Sequence, residues 1–589
     1  MKQLIKHPQN LYWHWIALFR LCYFGLNLTT DFILKLKIKI YKRIPCFDCL
    51  KKNSQWSHLL FGSTLFFIFF TTGCQPKRPV DQALNDKILL IGNGTEPTDI
   101  DPHIVTGLTE HNILIGLLEG LIIPNPVTLQ PEPGIAKSWD LSDDGKQYTF
   151  YLRKNAEWSN GESVTANHFS FSFKRILSPM LASEYAYMLY PLKNAEAYHK
   201  GKITDFNKVG VQVIDSHTLK LNLSQAVPYF LSLITHFTWS PVYPPNVLKH
   251  GKIHDRATHW TRKSKFVSNG PFTLKNWKIW DLLELEKNQN YWDAKKVDLE
   301  GIRFYPIDNQ NTEERAFRAG QIHVTNTIPP HKIKSYQEKN KESLRIDPDL
   351  GVYYYLLNTT IKPLDDIRVR KALNMAIDRK SIVETITKGG QEPAFNYTPP
   401  GAGGYQANAK IKEDISEAKK FLAEAGFPEG KNFPSLELLF NTSESHKAIA
   451  EAIQDMWKQN LGIDISLINK DWKIYLKARK EKDYQIARAS WIGDYNDPNT
   501  FLDMWTSDSG INHSGWGMKK YDQLIQAATQ ESNPKERFKI FQNAEKMLME
   551  EAACIPIYFY KSVYLIHPNV RNWYANILNW HPYKHVQLK

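Results

Sequence analysis

LELLFNTSESHKAIAEAIQDMWKQNLGIDISLI, residues 436–468, changes period twice. Leu436–Phe440 alternates over a strand's length. Ile449, Ile453, Met456 and Trp457 then recur at helical spacing on one face, and Ile463–Ile468 returns to period two. Strand, helix and strand in that order form a βαβ unit, the signature of an α/β lobe built on a sheet. Upstream, Asp414 and Glu417 cap a helix over SEAKKFLAEAG that stops at Gly426, with Pro428 just beyond. Downstream, YQIARAS reads as another strand and runs into WIGDYNDP, Trp491–Pro498.

Asp494 therefore falls at or near a strand end, where open α/β sheets place their ligands. It also sits between Trp491 and Tyr495, neighbours that suggest partial burial. A carboxylate taken from water needs a partner, and none lies nearby in sequence. Either a distant basic residue folds onto it or a ligand brings the positive charge. Arg488 is one internal candidate, because alternation places residues six apart on the same face of a strand.

The first third is organised differently. Ile88–Gly92 reads as a strand, Asn112–Leu121 as a helix, and Thr149–Lys154 and Thr218–Leu223 as antiparallel strands, an α+β pattern. At 589 residues the chain exceeds one hydrophobic core, and two or three domains are expected.

Leu59–Cys74, LLFGSTLFFIFFTTGC, is apolar for about a dozen residues, too few for a permanent span. It ends in small residues before a cysteine and reads as a signal peptide with a lipidation site at Cys74, followed by a polar tether over 74–83. Seventy-three residues precede Cys74, more than a signal peptide needs, so residues 1–73 read as an extension plus signal peptide with the true start near Leu50. Those residues hold ten of the basic and two of the acidic side chains, leaving a net charge of about +5, too diffuse for a nucleic-acid track. Cys22, Cys46 and Cys49 lie upstream of the cleavage site, so Cys554 stands alone in the body and no internal disulfide is expected.

Catalytic signatures are missing: no phosphate loop, no HExxH, no Gly-x-Ser-x-Gly elbow. His581 and His585 read as a solvated tail rather than a metal site, and Asp365 and Asp366 as helix-start charges. No enzyme activity, cofactor or metal is expected. Tyr185, Tyr354, Trp472, Trp491 and Tyr560, in polar or turn-flanked contexts, suit a cleft that holds variable side chains.

Several blocks carry a resemblance. Arg153–Arg175 (RKNAEWSNGESVTANHFSFSFKR), Ser268–Trp277 (SNGPFTLKNW), Asn288–Val297 (NQNYWDAKKV) and Asp365–Val383 (DDIRVRKALNMAIDRKSIV) resemble the family 5 solute-binding proteins of peptide ABC importers. Phe440–Ala450 (FNTSESHKAIA) and Ala487–Pro498 (ARASWIGDYNDP) resemble its oligopeptide-binding branch. The resemblance implies an α/β, two-lobe periplasmic-binding-protein-like fold with an extra inserted domain. Domain I would comprise 84–118, 243–349 and 562–589, domain II 119–242, and domain III 350–561. It implies a monomeric receptor, lipid-anchored at the outer face of the cytoplasmic membrane, that encloses short peptides between closing lobes and delivers them to an ABC permease.

By motif position, Leu108, Ser490 and Ile492 would offer backbone partners to an extended ligand, and Tyr185 would lie near its N-terminus. Asp494 would take the peptide α-ammonium, and Arg488 and His446 the carboxylate. Trp472, Trp491, Tyr354 and Tyr560 would line side-chain pockets. The chain departs from some relatives at Thr106, where an acid stands in them, and at Gly351 and Ile492, where cysteines do. A receptor for murein peptides, a nickel chelate or haem shares the fold and remains an alternative, as does, from another class, a peptidase.

Overall fold

The computed structural model describes residues 78–589; the leader, Cys22, Cys46, Cys49 and the Cys74 lipidation site lie outside the described residues. The βαβ unit at 436–468 forms one edge of a six-stranded mixed sheet. Its order is Glu392–Pro393, Cys554–Leu565, Leu344–Leu357, Ile486–Ile492, Leu436–Asn441, Ile465–Lys470. Leu436–Asn441 runs parallel to Ile465–Lys470 along its whole length, and parallel to Ile486–Ile492 only through Leu438↔Ile486 and Leu439↔Ala487. Leu344–Leu357 pairs antiparallel with Ile486–Ile492, Gly351 opposite Ile492 and Leu357 opposite Ile486.

The connecting helix, Glu444–Leu461, starts because the Ser443 side chain accepts the His446 N–H, and ends at Gly462, whose φ of +69° suits the left-handed turn. That turn delays the second strand to Ile465, two residues later than its alternation predicts. The helix buries Ile449, Ile453 and Trp457 against Tyr353, Leu357, Leu436 and Leu438. Ile453→Val is expected to cost about 1 kcal/mol and to lower the melting transition by about 1 °C, measured by calorimetry. Asp414 and Asp366 cap the helices Ile415–Glu424 and Ile367–Met375, each accepting a first-turn N–H.

Leu344–Leu357 is buried on both faces from Leu350 onward, because alternate side chains enter two cores. Tyr353, Tyr355 and Leu357 join the core under the helix. Leu350, Val352, Tyr354 and Leu356 join one with Phe501, Trp505 and Phe541.

Two smaller sheets carry the N-terminal half. Ala136–Leu141, Gln147–Leu152, Thr218–Asn222 and Val211–Asp215 form an antiparallel sheet in that order, with Tyr148, Phe150, Leu219 and Leu221 inward. Ile88–Gly92 lies parallel to Gly301–Tyr305, which continues through Leu282–Lys287 to Phe272–Lys278. The helix expected over 112–121 runs instead over Leu108–Leu117. Beyond it Leu118 is extended and Glu119 is buried, accepting from the Trp292 indole and the Tyr291 hydroxyl, which ends the helix early. His581 is buried too, ring-stacked on Trp573 at 4.3 Å with Nε2 2.8 Å from Asn579 Oδ1, so HPYKH packs into the body and is not a solvated tail. No helix among the described residues is long and apolar enough to cross a membrane.

Candidate functional site

Pairing of the strand Ile486–Ile492 stops on one side after Ala487. On the other side Gly493 N–H donates to the Leu350 carbonyl at 2.7 Å. Because backbone direction alternates residue by residue, Ser490 and Ile492 turn their N–H and C=O groups toward the unpaired edge. The Arg488 carbonyl points the same way and accepts the Tyr475 hydroxyl. The edge opens onto a cavity of about 660 Å³, whose other walls include 104–109, 235–237, 307–308, 441–446 and 558–563. Leu108 stands on that opposite wall at the first turn of its helix, where N–H groups have no intrahelical acceptor.

Asp494 lies just past the strand end, its side chain only 10% exposed. Oδ1 accepts the Tyr185 hydroxyl at 3.3 Å and lies 3.4 Å from His236 Nε2, while Oδ2 is buried without a partner. The other acid of DYNDP, Asp497, is held by Arg537 through two 2.7 Å bonds. Among the described residues no lysine or arginine pairs with Asp494. Burial, then the Asp494 charge, pushes the Asp503 carboxyl well above its ordinary range. Asp503 thus resists ionising behind the strand end, and Asp494 is the acid that faces the cavity.

Arg488 does not reach Asp494. Six residues of extended chain span about 20 Å, and the guanidinium turns to the other end of the cavity. Nη2 donates to Tyr560 Oη at 2.8 Å and Nη1 to Asn441 Oδ1 at 3.4 Å. The guanidinium centre lies 4.7 Å from the Tyr353 ring centroid. Arg488 is 6% exposed, its Nε is unpartnered, and among the described residues no carboxylate pairs with it. His446, in the first turn of Glu444–Leu461, packs on Tyr353 with Nδ1 unpartnered. Burial and then Arg488 hold it well below its ordinary pKa, so it enters the site as a neutral donor or acceptor rather than a second cation.

The cavity gathers Leu108, Tyr185, His446, Trp472, Arg488, Ser490, Trp491, Ile492, Asp494 and Tyr560. Tyr354 is not among them. It is fully buried on the far face of the sheet, ring against Tyr397 at 5.1 Å and Trp505 at 5.9 Å, because strand alternation sends it away from its neighbour Tyr353. Trp472 opens the helix Trp472–Glu481 and stacks on Tyr475. Trp491 packs edge-on against Tyr185, and the indole N–H groups of both tryptophans are buried without acceptors. Sequence reasoning missed His236 and Asp349. The first sits in an apolar loop over 250 residues from Asp494, and the second reads as an ordinary turn acid in RIDPDLG.

A family model described as bacterial extracellular solute-binding proteins, family 5 Middle, matches residues 130–513. The chain is 36% identical over 527 residues to the periplasmic oligopeptide-binding protein OppA of Salmonella typhimurium, covering 87% of this chain and 93% of that one. The structure of Haemophilus influenzae OppA in complex with RPPGFSPFR superposes with a TM-score of 0.81 at 32% identity, covering 85% of this chain and 99% of the other. The Escherichia coli murein tripeptide binding protein MppA also gives 0.81, at 34% identity and 85% and 98% coverage. Its unliganded open form, over 85% and 97% of the two chains, gives 0.59, so this chain's lobes are arranged differently from that open form.

Proposed function

The chain belongs to the bacterial extracellular solute-binding proteins of family 5, and from that membership we propose that it captures short peptides in the cleft and delivers them to the permease of an ABC importer. The observation that carries this reading is an open strand edge with, among the described residues, a carboxylate that no lysine or arginine pairs toward one end and a guanidinium that no carboxylate pairs toward the other. An extended peptide adds to such an edge through its main chain, which every peptide possesses, and its two termini carry the complementary charges. In this reading Asp494 takes the α-ammonium beside Tyr185, and Ser490, Ile492 and Leu108 supply backbone partners. Arg488, with neutral His446, takes the carboxylate. Trp472, Trp491 and Tyr560 line the space left to side chains.

The proposal extends to the molecule's setting. Residues 84–118, 243–349 and 562–589 form domain I, 119–242 domain II and 350–561 domain III, closing about the cleft. The protein works as a monomer without catalysis, tethered to the outer face of the cytoplasmic membrane through lipid on Cys74. Metabolic labelling with a fatty-acid probe, lost in Cys74→Ser, tests the anchor. Native mass spectrometry after incubation with a mixed peptide pool tests the ligand class. Intact bound peptides are expected; bound metal or haem, or cleaved peptides, would overturn the reading.

A further inference from the structure

Five carboxylates line the cavity, and four have an evident situation. Glu184 pairs with Lys480 at 2.5 Å, Glu313 accepts the backbone N–H groups of Asn326 and Thr327, Asp308 is exposed, and Asp494 is the proposed ammonium anchor. The fifth is Asp349. The residue is half-buried, its Oδ1 is sealed from solvent without a hydrogen-bond partner, and no cation among the described residues pairs with it. Burial alone pushes its carboxyl up to about 7.

Its place in the fold indicates which part of a ligand it meets. Leu350, the next residue, is fixed on both sides: its carbonyl accepts Gly493 N–H at 2.7 Å and its N–H donates to the Ile577 carbonyl at 2.6 Å. Gly493 immediately precedes Asp494, so Asp349 stands at the ammonium end of the cleft, bounded by Leu578, Asn579 and Trp580. The cations of the lining are occupied elsewhere: Lys561 faces Glu392 at 3.4 Å, Lys480 pairs with Glu184, Lys477 lies 3.9 Å from Glu481, Arg256 donates to the Leu181 and Ala182 carbonyls, Arg479 donates to the Tyr475 hydroxyl, and Arg488 bonds Tyr560 at the opposite end. A peptide brings one α-ammonium for two free acids. The second is satisfied by a cation on a short flexible stem from the same residue.

Resting on the peptide reading above, we infer that Asp349 is a specificity-determining residue that selects peptides whose first side chain is lysine or arginine. A half-buried carboxylate with one oxygen sealed and unpartnered is costly to cover with an apolar side chain and is relieved by a cation, so discrimination comes from both terms.

Calorimetric titration with two tetrapeptides, Lys-Ala-Ala-Ala and the same sequence beginning with norleucine, tests this in the full chain. The wild type is expected to bind the lysine peptide at least about tenfold more tightly. Asp349→Asn, which keeps shape and removes charge, is expected to abolish that preference by weakening the lysine peptide while leaving the norleucine peptide within about twofold. Asp494→Asn weakens both. Equal affinity of the wild type for the two peptides overturns the assignment without any variant having to fold, and so does an equal loss for both in Asp349→Asn. Binding of neither peptide by the wild type instead fails the peptide reading itself.

Discussion

Asp494→Asn is expected to weaken peptides with a free α-amine about 100-fold or more, and to leave N-acetylated peptides within a few-fold of their wild-type affinity. Removing one partner from a desolvated, hydrogen-bonded charge pair costs about 2–5 kcal/mol, roughly 30- to several-thousand-fold. Asp494 meets those conditions: its side chain is nearly buried, Oδ2 has no hydrogen-bond partner, and the groups on Oδ1, the Tyr185 hydroxyl at 3.3 Å and His236 at 3.4 Å, are long contacts. An asparagine keeps the contact with Tyr185 but offers the ammonium half the acceptors and no charge. The fold should tolerate the change, because the neighbouring Asp503 is disfavoured as an anion by burial and by Asp494 itself, and loses a repulsion. Titration of one peptide in free and acetylated form against both proteins provides the measurement. An equal loss for the two forms would remove Asp494 from the ammonium site.

The parts of this molecule legible in its sequence are those set by near neighbours. The βαβ unit at 436–468 is readable because its periods, the Ser443 cap and the Gly462 stop act within a few residues of chain. Asp494 stands out for a similar reason, as a charge among aromatics without a nearby cation. What fills its surroundings is not legible, since His236 and Tyr185 arrive from parts of the chain more than 250 residues away. Tyr354 shows the complementary failure. A resemblance transfers a position along a strand, but the cavity wall is one face, and in YYY three adjacent rings cannot share it. Both sides of Leu344–Leu357 pack into apolar cores, and the core that takes Tyr354 is the more aromatic of the two, so aromatic content does not mark the side that faces ligand. HPYKH misleads because polar composition reads as solvation, whereas His581 is held by a stack on Trp573.

Arg488→Met is expected to separate binding from stability. The guanidinium stays charged at any working pH and is buried over Tyr353, with Tyr560 and Asn441 as neutral partners and, among the described residues, no carboxylate paired to it. A charge desolvated without a counter-charge weakens the empty protein, and an apolar side chain of similar length removes that cost while filling the same space. The melting temperature of the ligand-free variant should therefore hold or rise by a few degrees. Binding should move the other way. A peptide whose C-terminal carboxylate reaches this end of the cleft should lose about 100-fold, from a desolvated charge pair of about 2–5 kcal/mol, while its C-terminal amide loses little. His446 supplies an internal check. Burial and then the Arg488 charge hold its imidazole far below its ordinary pKa, so removal of the charge should raise its titration midpoint, read from ring proton shifts. A sharp fall in melting temperature with equal loss of acid and amide would make Arg488 a brace for Tyr353 and Tyr560 instead of a ligand anchor. The opposite pattern, a firmer empty protein that no longer distinguishes acid from amide, identifies instability retained for function: the site keeps a buried cation unpaired because its partner is the peptide.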